Sequence, residues 1–149
     1  MTQSEAGADF EGWLTFMDEA LGEFLDELPD DVRRQLDSSP TSLDVLEGWL
    51  LQTFPSVHAL IADDARLLLD GAARYVGQTF IRHLGGHWDI DLDNPQDEHF
   101  MVPFLNDFAG QYSALSPITL VTAATDRRSG TYLRTVLENV HRRATAGSA

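Results

Sequence analysis

Apolar side chains recur every three or four residues between Phe10 and Leu28, and acidic side chains fill most of the positions between them. This period predicts one amphipathic helix, because residues three or four apart share a face of an α-helix. Ser4 or Asp9 could cap its start, and Pro29 is expected to end it.

The same period predicts four further helices, with short helical turns at 29–36 and 56–62. They cover about 41–54, opened by a Thr41-Ser42-Leu43-Asp44 capping box, then 63–84, 117–125 after a Ser-Pro start, and a last helix from 132. In the 63–84 helix, Leu67 and Ile81 lie opposite the main apolar stripe. We therefore expect that helix to be central and packed on two faces, with Gly85 ending it.

Beyond Gly85 the period changes from 3.6 to 2. Polar and apolar residues alternate from His87 to Asp93, Asn94-Pro95-Gln96-Asp97 has turn composition, and a second apolar segment runs from Phe100 to Leu105. This pattern predicts an antiparallel β-hairpin over about 87–105. The expected fold class is α+β, predominantly helical, with about five helices and one hairpin. One domain should span 1–149, with a frayed tail at 144–149.

The charge is very uneven. The chain has 24 acidic and 10 basic residues, for a net charge of −14, and residues 1–32 contain ten acids and no base. From Arg127 onward, five arginines accompany the single acid Glu138. The acidity argues against nucleic acid and anionic membranes as partners. We expect the C-terminal arginines to pair with the first helix.

Other features of the composition bear on the cellular location of the protein. There is no cysteine, no apolar segment long enough to span a membrane, and no basic, apolar leader at the start. The prediction is a cytoplasmic protein with no membrane association.

The acidic surface is well suited to a basic protein partner, which it would attract electrostatically. The candidate partner-binding residues are Glu19, Glu23 and Asp26 on the first helix, with Asp89 and Asp91 on the hairpin. Exposed aromatics such as Phe16 would supply an apolar centre. Acidity that serves solubility alone is an alternative, and so is a structural subunit of a homodimer or larger homo-oligomer.

A metal site is the other alternative. His87, Asp89 and Asp91 would share one strand face, followed closely by Asp97, Glu98 and His99, and imidazole with carboxylate suits a divalent cation. An Asp-x-Asp-x-Asp start is similar to a calcium loop, but Asn94 and Phe100 stand where that loop has its glycine and glutamate. A solvated acidic strand face is the simpler interpretation.

No catalytic residue and no cofactor is predicted. The chain lacks a Gly-x-Ser-x-Gly elbow, a phosphate-binding glycine loop and a His-Glu-x-x-His motif. His83 lies in an apolar stripe, where a core histidine bonded to a backbone carbonyl is expected rather than a catalytic base. The sequence therefore favours a non-enzymatic protein.

Tyr75-Val76-Gly77-Gln78, followed by Gly85-Gly86-His87-Trp88, resembles a pattern of small uncharacterised bacterial domains of actinobacterial type. In these domains a Tyr-x-Gly-Glu helix precedes a Gly-Gly-x-Trp strand, and a Pro-led helix follows later. The resemblance covers about residues 60–140 and implies an α+β fold. Some such domains resemble immunity or antitoxin-type proteins of bacterial conflict systems. Gln78 replaces the usual glutamate. Gly77 inside the helix should let a neighbouring element approach closely, and Trp88 and Tyr75 are expected to anchor the hairpin against the helix.

Overall fold

A computed structural model describes residues 2–96, 102–108 and 114–147. Within these ranges the chain is mostly helical, with one two-stranded antiparallel sheet, so the α+β class is confirmed. The elements are α1 (Gln3–Thr15), α2 (Met17–Asp26), α3 (Asp30–Arg33), α4 (Pro40–Thr53), α5 (Val57–Leu60), α6 (Arg66–Leu84), β1 (His87–Asp89), β2 (Phe104–Asn106), α7 (Pro117–Arg127) and α8 (Tyr132–Gly147). Eight helices in the described ranges replace the expected five or so.

The first predicted helix is two helices. Phe16 has φ −91° and ψ 14°, outside helical values, and separates α1 from α2. The Oγ1 atom of Thr2 caps α1 by accepting a hydrogen bond from the N–H of Glu5 at 3.1 Å, so neither Ser4 nor Asp9 is the cap. The other two helices beyond the expected number are α3 and α5, which the sequence predicts only as helical turns.

Two helices begin with the same Ser-Pro device. Ser116 Oγ accepts a hydrogen bond from the N–H of Thr119 at 3.3 Å, and Pro117 takes the first position of α7, as predicted. At α4, Ser39 Oγ accepts from the N–H of Ser42 at 3.1 Å. The expected capping box starting at Thr41 is therefore wrong by two residues, because proline fits the first turn of a helix.

The helix α6 is central and packs against α2, α7, α8 and the sheet. Most of its residues from Gly71 to Phe80 are buried. The sequence predicts that Leu67 and Ile81 form a second packed face of α6. Leu67 does not, because its side chain is 85% exposed. Ile81 does pack against the core. The helix ends at Gly85, whose φ of 76° costs glycine little.

The sheet is shorter than predicted. His87 lies opposite Asn106, Trp88 opposite Leu105 and Asp89 opposite Phe104. Leu105 also exchanges two backbone hydrogen bonds with Leu115, at 2.7 and 3.2 Å. Beyond Asp89 the strand predicted to reach Asp93 is not continuous, although Asp91 forms a single β-bridge, and Phe100 lies outside the described residues.

Two helix ends are closed by residues distant in sequence. The fully buried carboxylate of Glu47, in α4, accepts hydrogen bonds from the N–H groups of Tyr132 and Leu133 at the start of α8. In return, the Arg128 guanidinium donates to the carbonyls of Leu51 and Phe54 at the end of α4, at 2.7 and 3.0 Å. Both contacts satisfy backbone groups that a helix terminus leaves unpaired.

The C-terminal arginines do not pair with α1 or α2 in the described part of the chain, so that expectation is wrong. Arg134 Nε lies 2.8 Å from Asp44 Oδ2, and Arg134 Nη1 lies 3.6 Å from Glu138 Oε1. Arg127 stacks over the Tyr132 ring at 4.8 Å. The helix α8 includes residues 144–147, for which the sequence predicts fraying.

In the residues that the structure covers, no helix combines the length and the hydrophobicity that a membrane-spanning segment requires.

Candidate interaction surface

A groove of about 320 Å³ runs between α2 and the start of α6. Its walls combine acidic and apolar side chains: Ala20, Glu23, Phe24, Glu27, Asp64, Leu67, Leu68 and Asp70. Glu23 is one of the predicted partner-binding residues.

The apolar part of the groove is partly open to solvent. Phe24 is buried and forms part of the core, and Leu68 is half-buried against it. Leu67 is 85% exposed, the most exposed large apolar side chain in the described residues. The groove therefore has an exposed leucine at its apolar part and carboxylates around it.

The rim carries unbalanced negative charge. Glu23, Glu27 and Asp64 form no ion pair or side-chain hydrogen bond with any residue that the structure describes. Asp70 is different, since Arg74 Nε lies 2.7 Å from its Oδ2 atom. The groove therefore presents three carboxylates whose counter-charges must come from solvent ions or from another molecule.

Close packing between α2 and α6 sets the width of the groove. A Cβ atom on Gly71 would lie 2.4 Å from the Phe24 ring, so only glycine lets α2 approach this closely. The Phe24 ring also meets Trp49 edge-on at 5.8 Å. These contacts hold α2 so that Glu23 and Glu27, one turn apart, face Asp64 and Leu67 across the groove.

Behind the groove, a buried polar network ties α1 to α6. The Arg74 guanidinium, 5% exposed, donates to Asp70 and to the Trp13 carbonyl at 2.7 Å each. It also lies 4.1 Å from the centre of the Trp13 ring, whose Nε1 donates to Asp70 Oδ1 at 2.8 Å. The charge of Arg74 is thus balanced inside the protein, and the network positions α1 rather than binding a ligand.

The other predicted partner-binding residues are dispersed. Glu19 is exposed on α2 one turn before Glu23, but it does not line the groove. Asp26 is exposed and lies 3.4 Å from Arg33 Nη1, so its charge is partly balanced. Phe16 is 54% exposed, as the sequence predicts.

The two hairpin aspartates are used locally. Asp89 accepts hydrogen bonds from the N–H of Ile90 and from Asn106 Nδ2, at 2.8 and 3.2 Å. Asp91 Oδ1 accepts from the N–H groups of Asp93 and Asn94, which makes a turn where the sequence predicts a strand. Neither lines the groove.

The candidate metal ligands do not converge either. His87 Nε2 lies 3.7 Å from Asp107 Oδ2, while Asp89 and Asp91 make the local hydrogen bonds just given. In the described ranges, no three His, Asp or Glu side chains come together as a metal site would need. Asp97, Glu98 and His99 lie outside those ranges.

His83 is exposed rather than part of the core, so that part of its prediction is wrong. Its Nε2 atom lies 2.8 Å from the Ser38 carbonyl oxygen, which is the expected bond to a backbone carbonyl.

The residues that carry the family resemblance have structural roles. A Cβ atom on Gly77 would lie 2.1 Å from the Trp88 ring, so the close approach expected at this glycine is made by Trp88. Gln78 Oε1 accepts a hydrogen bond from Trp88 Nε1 at 2.8 Å. Tyr75 does not anchor the hairpin as expected. Its hydroxyl lies 2.8 Å from Ser42 Oγ and accepts from the N–H of Ser38.

Sequence reasoning missed three residues of the groove, Glu27, Asp64 and Leu67. One signal was available, because Leu67 lies off the apolar stripe of α6 and comes three residues after the acidic pair Asp63-Asp64. Comparisons with protein-family models, with curated proteins and with solved structures find no match to this chain.

Proposed function

We propose that this protein is a non-enzymatic interaction protein that binds a basic protein partner through the acidic groove between α2 and α6. The observation that carries the proposal is the position of Leu67, 85% exposed, beside three carboxylates without cationic partners among the described residues. Arginine or lysine side chains of the partner would neutralise Glu23, Glu27 and Asp64, while an apolar side chain covers Leu67.

The mechanism is occlusion. Charge on the rim speeds encounter and orients the partner, and burial of the apolar centre slows dissociation. An immunity or antitoxin-type protein that masks a cationic toxin is one concrete form, suggested by the resemblance of residues 60–140. The arginines of this chain are mostly engaged elsewhere: Arg74 is buried, Arg128 closes α4 and Arg134 pairs with Asp44.

The test begins with capture of the partner from the native cell and uses two double variants with equal charge change. Glu23→Lys with Glu27→Lys alters the groove, and Asp9→Lys with Glu11→Lys alters the exposed surface of α1. We expect the groove variant to slow association at least about tenfold at low salt, and the α1 variant to have a much smaller effect. Salt should slow the wild type more than the groove variant.

The proposal is wrong if the two double variants associate with the partner at equal rates. Sedimentation of the chain alone distinguishes the alternative of a homo-oligomer. In that case a second copy would cover Leu67, and Leu67→Ser, not the charge change, would dissociate the assembly.

A further inference from the structure

A second cleft lies far along the chain from the groove residues, where the start of α4 and the end of α6 meet the last turns of α8. It encloses about 580 Å³, within the range of about 300–1,000 Å³ that is typical of small-molecule sites. Its lining residues are Pro40, His83, Leu137, Glu138, His141, Arg142 and Thr145. None of them takes part in the acidic groove.

The lining has an apolar base and a polar rim. The half-buried Pro40 supplies apolar surface, and Leu137, 2% exposed, lies at the base of the cleft. The His141 imidazole and the Arg142 guanidinium supply donors, while the Thr145 hydroxyl donates to the His141 carbonyl at 3.0 Å. The carbonyl of Ser38 can only accept a hydrogen bond, so the Nε2 atom of His83 carries the hydrogen and the ring is held in place.

The balance of charge in this cleft is unlike that of the rest of the chain. Arg142 and the His141 side chain have no ion-pair or hydrogen-bond partner in the described residues, although acids outnumber bases 24 to 10. The one acid of the lining, Glu138, lies 3.6 Å from Arg134. The group with unbalanced charge is therefore a guanidinium, which pairs with carboxylates and phosphates through two parallel hydrogen bonds.

We propose that this cleft binds a small organic anion, with its carboxylate or phosphate on Arg142 and His141 and its apolar body against Leu137 and Pro40. The site is independent of the acidic groove and of any protein partner.

The experiment measures binding to the full chain by calorimetry at low salt, with benzoate and phenyl phosphate as probes and benzamide as a neutral analogue. We expect saturable millimolar or tighter binding of at least one anion and none of benzamide. Comparison of the affinities of benzoate and phenyl phosphate shows whether the site prefers a carboxylate or a phosphate. Inorganic phosphate should bind less tightly than phenyl phosphate, because it has no apolar body to cover Pro40.

A matched pair of variants locates the site. Arg142→Gln should weaken binding about tenfold, as expected for loss of a charged hydrogen-bond donor. Arg143→Gln, at an exposed neighbour that does not line the cleft, should change it less than about twofold. The proposal is overturned if neither anion saturates the wild type at 10 mM (about 2.7 kcal/mol). It is also overturned if both variants weaken binding equally, since this would show only an effect of net charge.

Discussion

The Oε1 atom of Glu47 accepts a hydrogen bond from the N–H of Leu133 at 2.9 Å, across 86 residues of sequence. Both residues are fully buried. The other carboxylate oxygen, Oε2, accepts from the N–H of Tyr132 at 3.1 Å. A carboxylate from α4 thus performs the capping role that a side chain next to the helix start usually has, and it brings negative charge to the positive end of α8.

Replacement of Glu47 by glutamine should therefore be costly. In glutamine an NH2 group replaces one of the two carboxylate oxygens. This group would face the N–H of Tyr132 or of Leu133, so at least one of these two N–H groups would be buried without an acceptor. We expect the free energy of unfolding to fall by about 2–3 kcal/mol. Urea denaturation measures it. Glu138→Gln, an exposed acid of α8, is the control and should change stability by no more than about 0.5 kcal/mol. A similar loss in both variants would contradict the capping role.

Gly77 and Gly48 form a second matched pair, since both lie inside helices. A Cβ atom on Gly77 meets the Trp88 ring, whereas one on Gly48 meets nothing within 4 Å. Gly77→Ala should destabilise the protein by about 1–3 kcal/mol, because the rigid indole must move. Gly48→Ala should stabilise it by about 0.5–1 kcal/mol through helix propensity. Chemical denaturation followed by far-UV circular dichroism would reveal the opposite signs. Equal signs would mean that Trp88 does not pack on α6.

Part of this fold can be predicted from the sequence and part cannot, and α6 shows why. Its length, its central position and the glycine at its end follow from local periodicity, which the chain carries within about twenty residues. A close approach at Gly77 and an anchoring role for Trp88 also follow from short motifs, although the motifs do not pair the two residues. The break at Phe16 does not, because the apolar stripe continues through it. Nor does the Arg128 contact with α4, since it joins segments more than 70 residues apart.

The site was harder to predict than the fold. Acidic residues are so frequent in this chain that composition cannot tell which of them share a surface. Of the predicted partner-binding residues, Glu23 lines the groove, whereas Asp26 pairs with Arg33 and Asp89 bonds to Asn106. Only the packing of α2 on Gly71 brings Glu23 and Glu27 opposite Asp64.

The crowding of acids on α2 has a measurable cost that needs no partner. Glu23 has Glu19 and Glu27 one turn away on either side, and like charges at this spacing repel. Glu23→Gln should raise the free energy of unfolding by about 0.5 kcal/mol at low salt, and the gain should fall at 1 M salt as screening removes the repulsion. Glu11→Gln, which has no acid three or four residues away, is the control and should give no gain. If the two variants behave alike, the acids of α2 do not interact.

Asp37 provides a prediction for acid pH. Hydrogen bonds from Ser39, from its hydroxyl and then from its backbone N–H, lower the pKa of the Asp37 carboxyl. A pKa lower in the folded state means that the charged form adds stability above the unfolded pKa, near about 3.9, and that this gain is lost as pH falls through the folded pKa. NMR titration of the carboxyl should show a midpoint below its ordinary value, and Ser39→Ala should raise it. A wild-type midpoint at or above the ordinary value would contradict the contact.

The contact of Arg128 with the carbonyls of Leu51 and Phe54 has a consequence for the order of folding. Arg128, at the end of α7, completes the C-terminus of α4, and Glu47 of α4 completes the N-terminus of α8, so these helix ends are fully paired only when all three helices are present. During synthesis, α4 leaves the ribosome long before Arg128 exists. Its last carbonyls and the Glu47 carboxylate lack these partners until the final third of the chain is made. Contacts over such long sequence separations slow folding, so this protein should fold more slowly than helical proteins whose contacts are local.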